Sequence, residues 1–151
     1  MNIEELKVKA ENIVENIKDK GIYLKENTFI DYKLELKLNP NVGNVLIFLR
    51  NFAKDILAFA NKDGGLLLLG FNENKETGEI TDIGLKEDDI NILRAIDLKD
   101  LSDQFVKMFD AQIIVDIHAF NIATRKFYYI LIEKHNSILV PKNDCLDYGL
   151  K

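Results

Sequence analysis

The sequence predicts an α/β domain in which a mixed β-sheet is packed by helices. Three observations lead there. Segments with helical periodicity alternate with β-type segments in the order helix, strand, helix, strand, strand, helices, strand, strand. Residues 66–71, Leu-Leu-Leu-Leu-Gly-Phe, have no polar face, as suits a central strand covered on both sides. Two stretches, 112–120 and 126–134, are rich in β-branched and aromatic residues. At 151 residues and 17.3 kDa the chain fits one core.

The first element is an amphipathic helix over residues 2–20. Asn2 caps it, with Glu5 as the capping-box partner, and Gly21 ends it. Ile3, Leu6, Ala10, Ile13 and Ile17 form a narrow apolar stripe, open to packing on the domain's own sheet or on another copy. Residues 1–24 are thus assigned to this helix and 25–151 to the sheet-bearing unit.

Residues 29–38 alternate as a strand, with Tyr32, Leu34, Leu36 and Leu38 on one face and Asp31, Lys33, Glu35 and Lys37 on the other. Asn39-Pro40-Asn41-Val42-Gly43 breaks the pattern. Asn44 then caps a broad-faced helix carrying Val45, Phe48, Leu49, Phe52, Ala53, Ile56, Phe59 and Ala60. The joint Asn61-Lys62-Asp63-Gly64-Gly65 follows, with residue types that tolerate positive φ, and is expected to set Asn61, Lys62 and Asp63 beside the strand end at Gly70.

Beyond the apolar strand, residues 72–79 read as a polar hairpin returning through a short strand at 80–83. A short helix spans 86–96, with Ile90, Leu93 and Ile96 inward. Asp97 caps the next, built on Leu98, Leu101, Phe105, Met108 and Phe109. The last two strands are joined by a loop at 121–125, and residues 137–141 are a candidate edge strand.

The joint and the strand before it carry a family signature. Leu34-Glu35-Leu36-Lys37, a Pro-broken loop, a helix ending Ala58-Phe59-Ala60-Asn61-Lys62-Asp63-Gly64-Gly65, and an apolar strand closing on Gly70 resemble the AlbA-type domain of the Schlafen proteins. The resemblance covers about residues 28–140. Lys62 stands where the family has threonine and Leu36 where it has an aromatic residue, while Gly84 matches a later glycine. The resemblance implies a nucleic-acid-binding module, DNA or RNA, of the sort found in transcriptional regulators. It also implies a further strand and a C-terminal domain beyond residue 151.

Some Schlafen proteins are endoribonucleases that use three carboxylates, for which a divalent metal would be the cofactor. Here Glu35 matches one. The earlier acid falls on Ile30, with Asp31 next to it but on the other strand face, and the acidic turn offers Asn72 and Glu73. The sequence therefore favours a noncatalytic module without a cofactor, leaving a weak metal-dependent ribonuclease through Glu35, Asp31 and Glu73 as one alternative. Protein–protein or self-association is another, favoured by the net charge of −5 and pI near 5.1.

Candidate phosphate contacts are Lys33, Lys37, Lys62, Arg125 and Lys126, with Lys75 as a further cation. Each also reads as an ordinary solvated charge. Tyr128 and Tyr129 alternate, so at most one faces outward to stack on a base. Glu35 and Lys37 read either as a polar floor for a phosphate or metal, or as an exposed ion pair. Asn61, Asp63, Gly64, Gly65 and Gly70 read as structural members of the joint.

Other chemistries find no motif. Helix precedes glycines and strand follows, the reverse of a P-loop, and no Gly-Lys-Ser/Thr occurs. His118 and His135 lack ligand-spaced partners, and the lone Cys145 excludes an internal disulfide. No apolar run reaches the roughly 18–20 residues of a membrane span. The expected setting is cytoplasmic, without membrane partners.

Overall fold

The computed structural model describes residues 2–25, 29–39 and 41–142. The expectations at Pro40 and Cys145 lie outside the described residues.

Helix α1 (Ile3–Lys20) starts where the Asn2 side chain accepts the Glu5 N–H at 2.9 Å. It ends at Gly21, φ 63°, whose N–H and that of Ile22 return to the Ile17 and Asn16 carbonyls. The predicted stripe is buried against the sheet through Leu6, Ala10, Ile13 and Ile17, joined by Val14.

Strand β1 (Ile30–Lys33), helix α2 (Asn44–Ala60) and strand β2 (Gly65–Leu69) form a crossover unit in which β1 and β2 run parallel. The cap of α2 is Gly43 rather than Asn44, which is already the first helical residue. A hairpin of β3 (Phe71–Glu73) and β4 (Ile80–Asp82) follows, then α3 (Glu87–Arg94) and α4 (Leu98–Phe109). The Asp97 side chain accepts from the Lys99 and Asp100 N–H groups and caps α4 as expected. Strands β5 (Val115–Ile122) and β6 (Arg125–Ile132) complete a four-stranded sheet in the order β1-β2-β6-β5, with β6 antiparallel to both neighbours.

β2 sits centrally with all five residues buried. Alternation divides the interior into two cores. Leu66 and Leu68 join Phe127, Tyr129 and Leu131 on the α1 side, while Leu67 and Leu69 join Tyr128, Ile130 and Ile132 beneath α2, α3 and α4. Burying each leucine contributes about 1.5–3 kcal/mol relative to exposure.

Four expectations are corrected. The strand over 29–38 stops at Lys33, because its partner ends at Leu69 and Gly70 (φ 105°) turns the chain away. Past that point Leu34 and Leu38 are exposed, and Leu36 is buried in the α2-side core, opposite the side that holds Tyr32. The loop at 121–125 is tighter than expected: Ile122 pairs with Arg125 across Ala123-Thr124, with Ala123 at φ 54°. Residues 137–141 form no strand. Tyr128 and Tyr129 are both buried, so neither offers a stacking face.

The joint is tied from both sides. Asn61 exchanges two hydrogen bonds with the Leu139 backbone, donating to its carbonyl at 3.0 Å and accepting its N–H at 2.7 Å. Only Gly64 of the joint adopts positive φ (83°), and its N–H closes on the Phe59 carbonyl at 2.9 Å. Gly65 is required for space instead: a Cβ there would lie 2.2 Å from the Phe59 ring.

Candidate functional site

The chain direction of β2 separates the predicted residues into two groups. Asn61, Lys62, Asp63 and Gly64 precede the strand, whereas Gly70 follows it. They therefore stand at opposite ends, ~17 Å apart for five strand residues; the expected placement of the joint beside Gly70 does not hold. Lys62 is exposed, and Asp63 is also exposed, 3.9 Å from Lys134. With Asn61 spent on Leu139, the joint is a structural clasp.

The Gly70 end gathers Lys33, Arg125 and Lys126, because β1 runs parallel and β6 antiparallel to β2. These cations differ in their surroundings. Lys33 lies between two carboxylates, 3.1 Å from Asp31 and 3.4 Å from Asp55 of α2. Burial pushes Lys33 down, but Asp55 and Asp31 together outweigh it and its pKa is raised. Burial raises Asp55, with Lys33 opposing and Asp31 reinforcing the rise. The pair is unevenly satisfied because one ammonium serves two acids. The Lys37 backbone is clamped to α2, its N–H donating to Asn51 Oδ1 at 2.8 Å and its carbonyl accepting from Asn51 Nδ2 at 3.0 Å.

The three acids separate. Asp31 and Glu73 line one open groove of about 330 Å³ with Lys33, Lys75, Tyr32 and Asn72. Glu73 is paired with Lys75. Glu35 points elsewhere, to Lys86 at 3.2 Å on the approach to α3. Among the described residues no three His, Cys, Asp or Glu side chains are grouped so as to hold a metal ion. Asp31, Glu35 and Glu73 do not converge on one point.

Asp89, in the first turn of α3, is 2% exposed and its Oδ2 has no hydrogen-bond partner among the described residues. Burial raises its pKa, opposed by a hydrogen bond from the Leu36 backbone and reinforced by Glu35. A carboxyl whose folded pKa is raised binds protons more tightly when folded, so stability falls as pH rises through the interval above 3.8. Asp89→Asn is expected to stabilise the protein by about 1 kcal/mol at pH 7, since a buried charge with one oxygen left unpartnered is removed. The advantage should shrink toward pH 4 in thermal melts; a constant difference across pH would show that Asp89 titrates normally.

A second groove, of about 410 Å³, opens between α3 and the β5–β6 turn. Arg94, Arg125 and Lys126 line it together with Glu87, Gly84 and Thr124. Arg125 is positioned rather than free: its guanidinium donates to the Asp82 backbone carbonyl and, at 2.9 Å, to the Asp82 carboxylate. Its stem lies over Gly84, where a Cβ would come within 3.0 Å of the Arg125 Cβ. Lys126 is half-buried, its carbonyl accepting the Leu85 N–H at 2.9 Å, and Arg94 is exposed at the end of α3. Sequence reasoning missed Arg94, because a single arginine ending a short helix carries no spacing signal; only the packing of α3 brings it to the turn.

His118 lies 3.2 Å from Asp116 and against the Tyr129 ring, and His135 bonds locally to Ser137. Among the described residues no helix is long and apolar enough to cross a membrane.

Two solved structures share this fold. The DIP2311 protein of Corynebacterium diphtheriae aligns with a TM-score of 0.53 at 22% identity, over 93% of this chain; the chain spans 27% of that protein's length. The N-terminal domain of a RecG-related protein from Nitrosomonas europaea aligns with a TM-score of 0.53 at 19% identity, over 89% of this chain and 81% of that one. No curated protein matches the chain. Residues 26–146, which contain the clasp, the crossover and both grooves, match the family described as Schlafen, AlbA_2, and the chain belongs to that family.

Proposed function

We propose that this domain binds nucleic acid, RNA or DNA, as a noncatalytic regulatory module within a longer protein, gripping phosphates at the Gly70 end of its sheet. The observation that carries this reading is the convergence of Arg94, Arg125 and Lys126 on one groove, in a chain whose net charge is −5. An acidic protein with a cationic groove directs a polyanion to that place. Asp82 fixes the Arg125 guanidinium beforehand, so little side-chain entropy remains to be lost on phosphate contact. Membership of the Schlafen AlbA_2 family supports the reading, as does the shared fold of the protein named for a RecG-related DNA helicase. The noncatalytic part rests on the lysines paired with Asp31, Glu35 and Glu73 and on the separation of Glu35 from the other two acids.

Labelled single- and double-stranded RNA and DNA, titrated at two salt concentrations, test it. Affinity is expected to fall steeply with salt. Replacing Arg94 and Lys126 together by glutamate should weaken binding at least about tenfold and reduce the log–log salt slope by about two, one for each cation lost. Absence of binding at low salt would sink the reading. Adding Mn²⁺ or Mg²⁺ to the same samples distinguishes the ribonuclease alternative, which requires cleavage that Glu35→Ala abolishes.

A further inference from the structure

The outer edge of β5 is the long open edge of the sheet. β6 occupies one side of β5, and among the described residues no strand or backbone hydrogen bond reaches the other. The two-residue Ala123-Thr124 turn makes Ile122 and Arg125 a hydrogen-bonded pair, and the Glu133 N–H bonds the Ile114 carbonyl at 2.9 Å. Even-numbered residues of β5 therefore direct their backbone groups at β6. Val115, Ile117, Ala119 and Asn121 direct theirs outward. Natural edges are blunted by charged side chains, above all lysine, by proline, by a bulge or by a covering segment. β5, Val-Asp-Ile-His-Ala-Phe-Asn-Ile, contains no lysine or proline and keeps unbroken register with β6 over eight residues.

We propose that this edge pairs with the same edge of a second copy, antiparallel and two-fold symmetric, with Ile117 of each chain at the axis. A second copy fits this edge because the edge is self-complementary. An axis at Ile117 sets the outward backbone groups of Ile117 against those of the partner's Ile117, and those of Val115 against those of the partner's Ala119. It sets Asp116 opposite the partner's His118, in a non-hydrogen-bonded pair where side chains approach most closely. The acid–imidazole pairing occurs twice by symmetry. Neighbouring registers lose it. An axis at Asp116 opposes two carboxylates, one at His118 opposes two imidazoles, and one at Ala119 sets Asp116 against the partner's Ile122. Within one chain His118 Nε2 lies 3.2 Å from Asp116 Oδ2, so the two side chains stand together on one face of the edge. The result is a continuous eight-stranded sheet with the two cationic turns at opposite ends of the joined edge.

An edge of eight residues is a modest interface, so a dissociation constant on the order of micromolar is expected. Sedimentation velocity on the whole chain from ~1 μM to ~1 mM should show a monomer–dimer equilibrium. Ala119→Pro removes an outward N–H and leaves the β6 ladder its bonds, so it should raise the dissociation constant about tenfold or more while circular dichroism remains native. Asp116→His opposes imidazoles and should weaken the dimer. The exchange Asp116→His with His118→Asp restores opposite partners and should recover it, which decides the matter even if the proline variant does not fold. A monomer throughout the range, a dimer untouched by Ala119→Pro in a folded protein, or an exchange variant no tighter than Asp116→His overturns the proposal.

Discussion

Phe71→Ala is expected to lower the unfolding free energy by about 3–5 kcal/mol, the range for deleting a buried aromatic ring. Phe71 is 1% exposed and opens β3 just where the sheet hands over to the hairpin. Its ring centroid lies 4.8 Å from Phe127, 5.8 Å from Tyr32, 6.0 Å from Tyr23 and 6.2 Å from Phe120. Those four rings come from the α1–β1 connection and from β1, β5 and β6, so no single local movement closes the space left behind. Tyr32 is further anchored by a hydrogen bond from its hydroxyl to the Leu24 carbonyl. Urea unfolding followed by circular dichroism measures the loss as a lower midpoint at unchanged slope. A loss below about 1 kcal/mol would mean that the α1-side core collapses onto the gap.

Gly64→Ala is expected to cost about 2–4 kcal/mol, against about 1 kcal/mol for Gly21→Ala. Both glycines have positive φ, 83° and 63°, so both variants carry the left-handed penalty of an L-residue. They differ in room. Nothing lies within 4 Å of a Cβ at Gly21, whereas one at Gly64 would meet the Ile132 carbonyl oxygen at 2.7 Å and the Lys134 nitrogen at 3.2 Å. Those are backbone atoms at the end of β6, which yield only if the sheet moves. Equal losses in the two variants, measured by thermal melts, would remove close packing as the reason for this glycine.

Periodicity made the elements with one dominant contact face legible. The stripe of α1, the broad face of α2, the unbroken leucines of β2 and the capped α4 stand where their patterns put them, except that Leu98, expected inward at the start of α4, is exposed. Alternation failed at residues 34–38, since it reports which way side chains point and not whether a neighbouring strand is still present. β2 ends at Leu69, so the alternation beyond Lys33 has no ladder to join. The same limit applies to the site. Spacing identified Arg125 and Lys126 as a pair on a turn, but neither the Asp82 clamp nor Arg94 follows from spacing, because both depend on how the hairpin and α3 pack. The clasp was recognised as a motif while its position was not, because five strand residues intervene between it and Gly70.

The placement of β2 has a consequence for how the chain must be made. Its parallel neighbour β1 precedes it, but its antiparallel neighbour β6 (Arg125–Ile132) follows only after the hairpin, two helices and β5. A chain emerging from the ribosome thus presents its most apolar strand with one ladder unfilled until Ile132 has left the tunnel, while the β5–β6 turn closes locally at once. The strand that is most deeply enclosed in the finished sheet is the one that waits longest for its cover during synthesis.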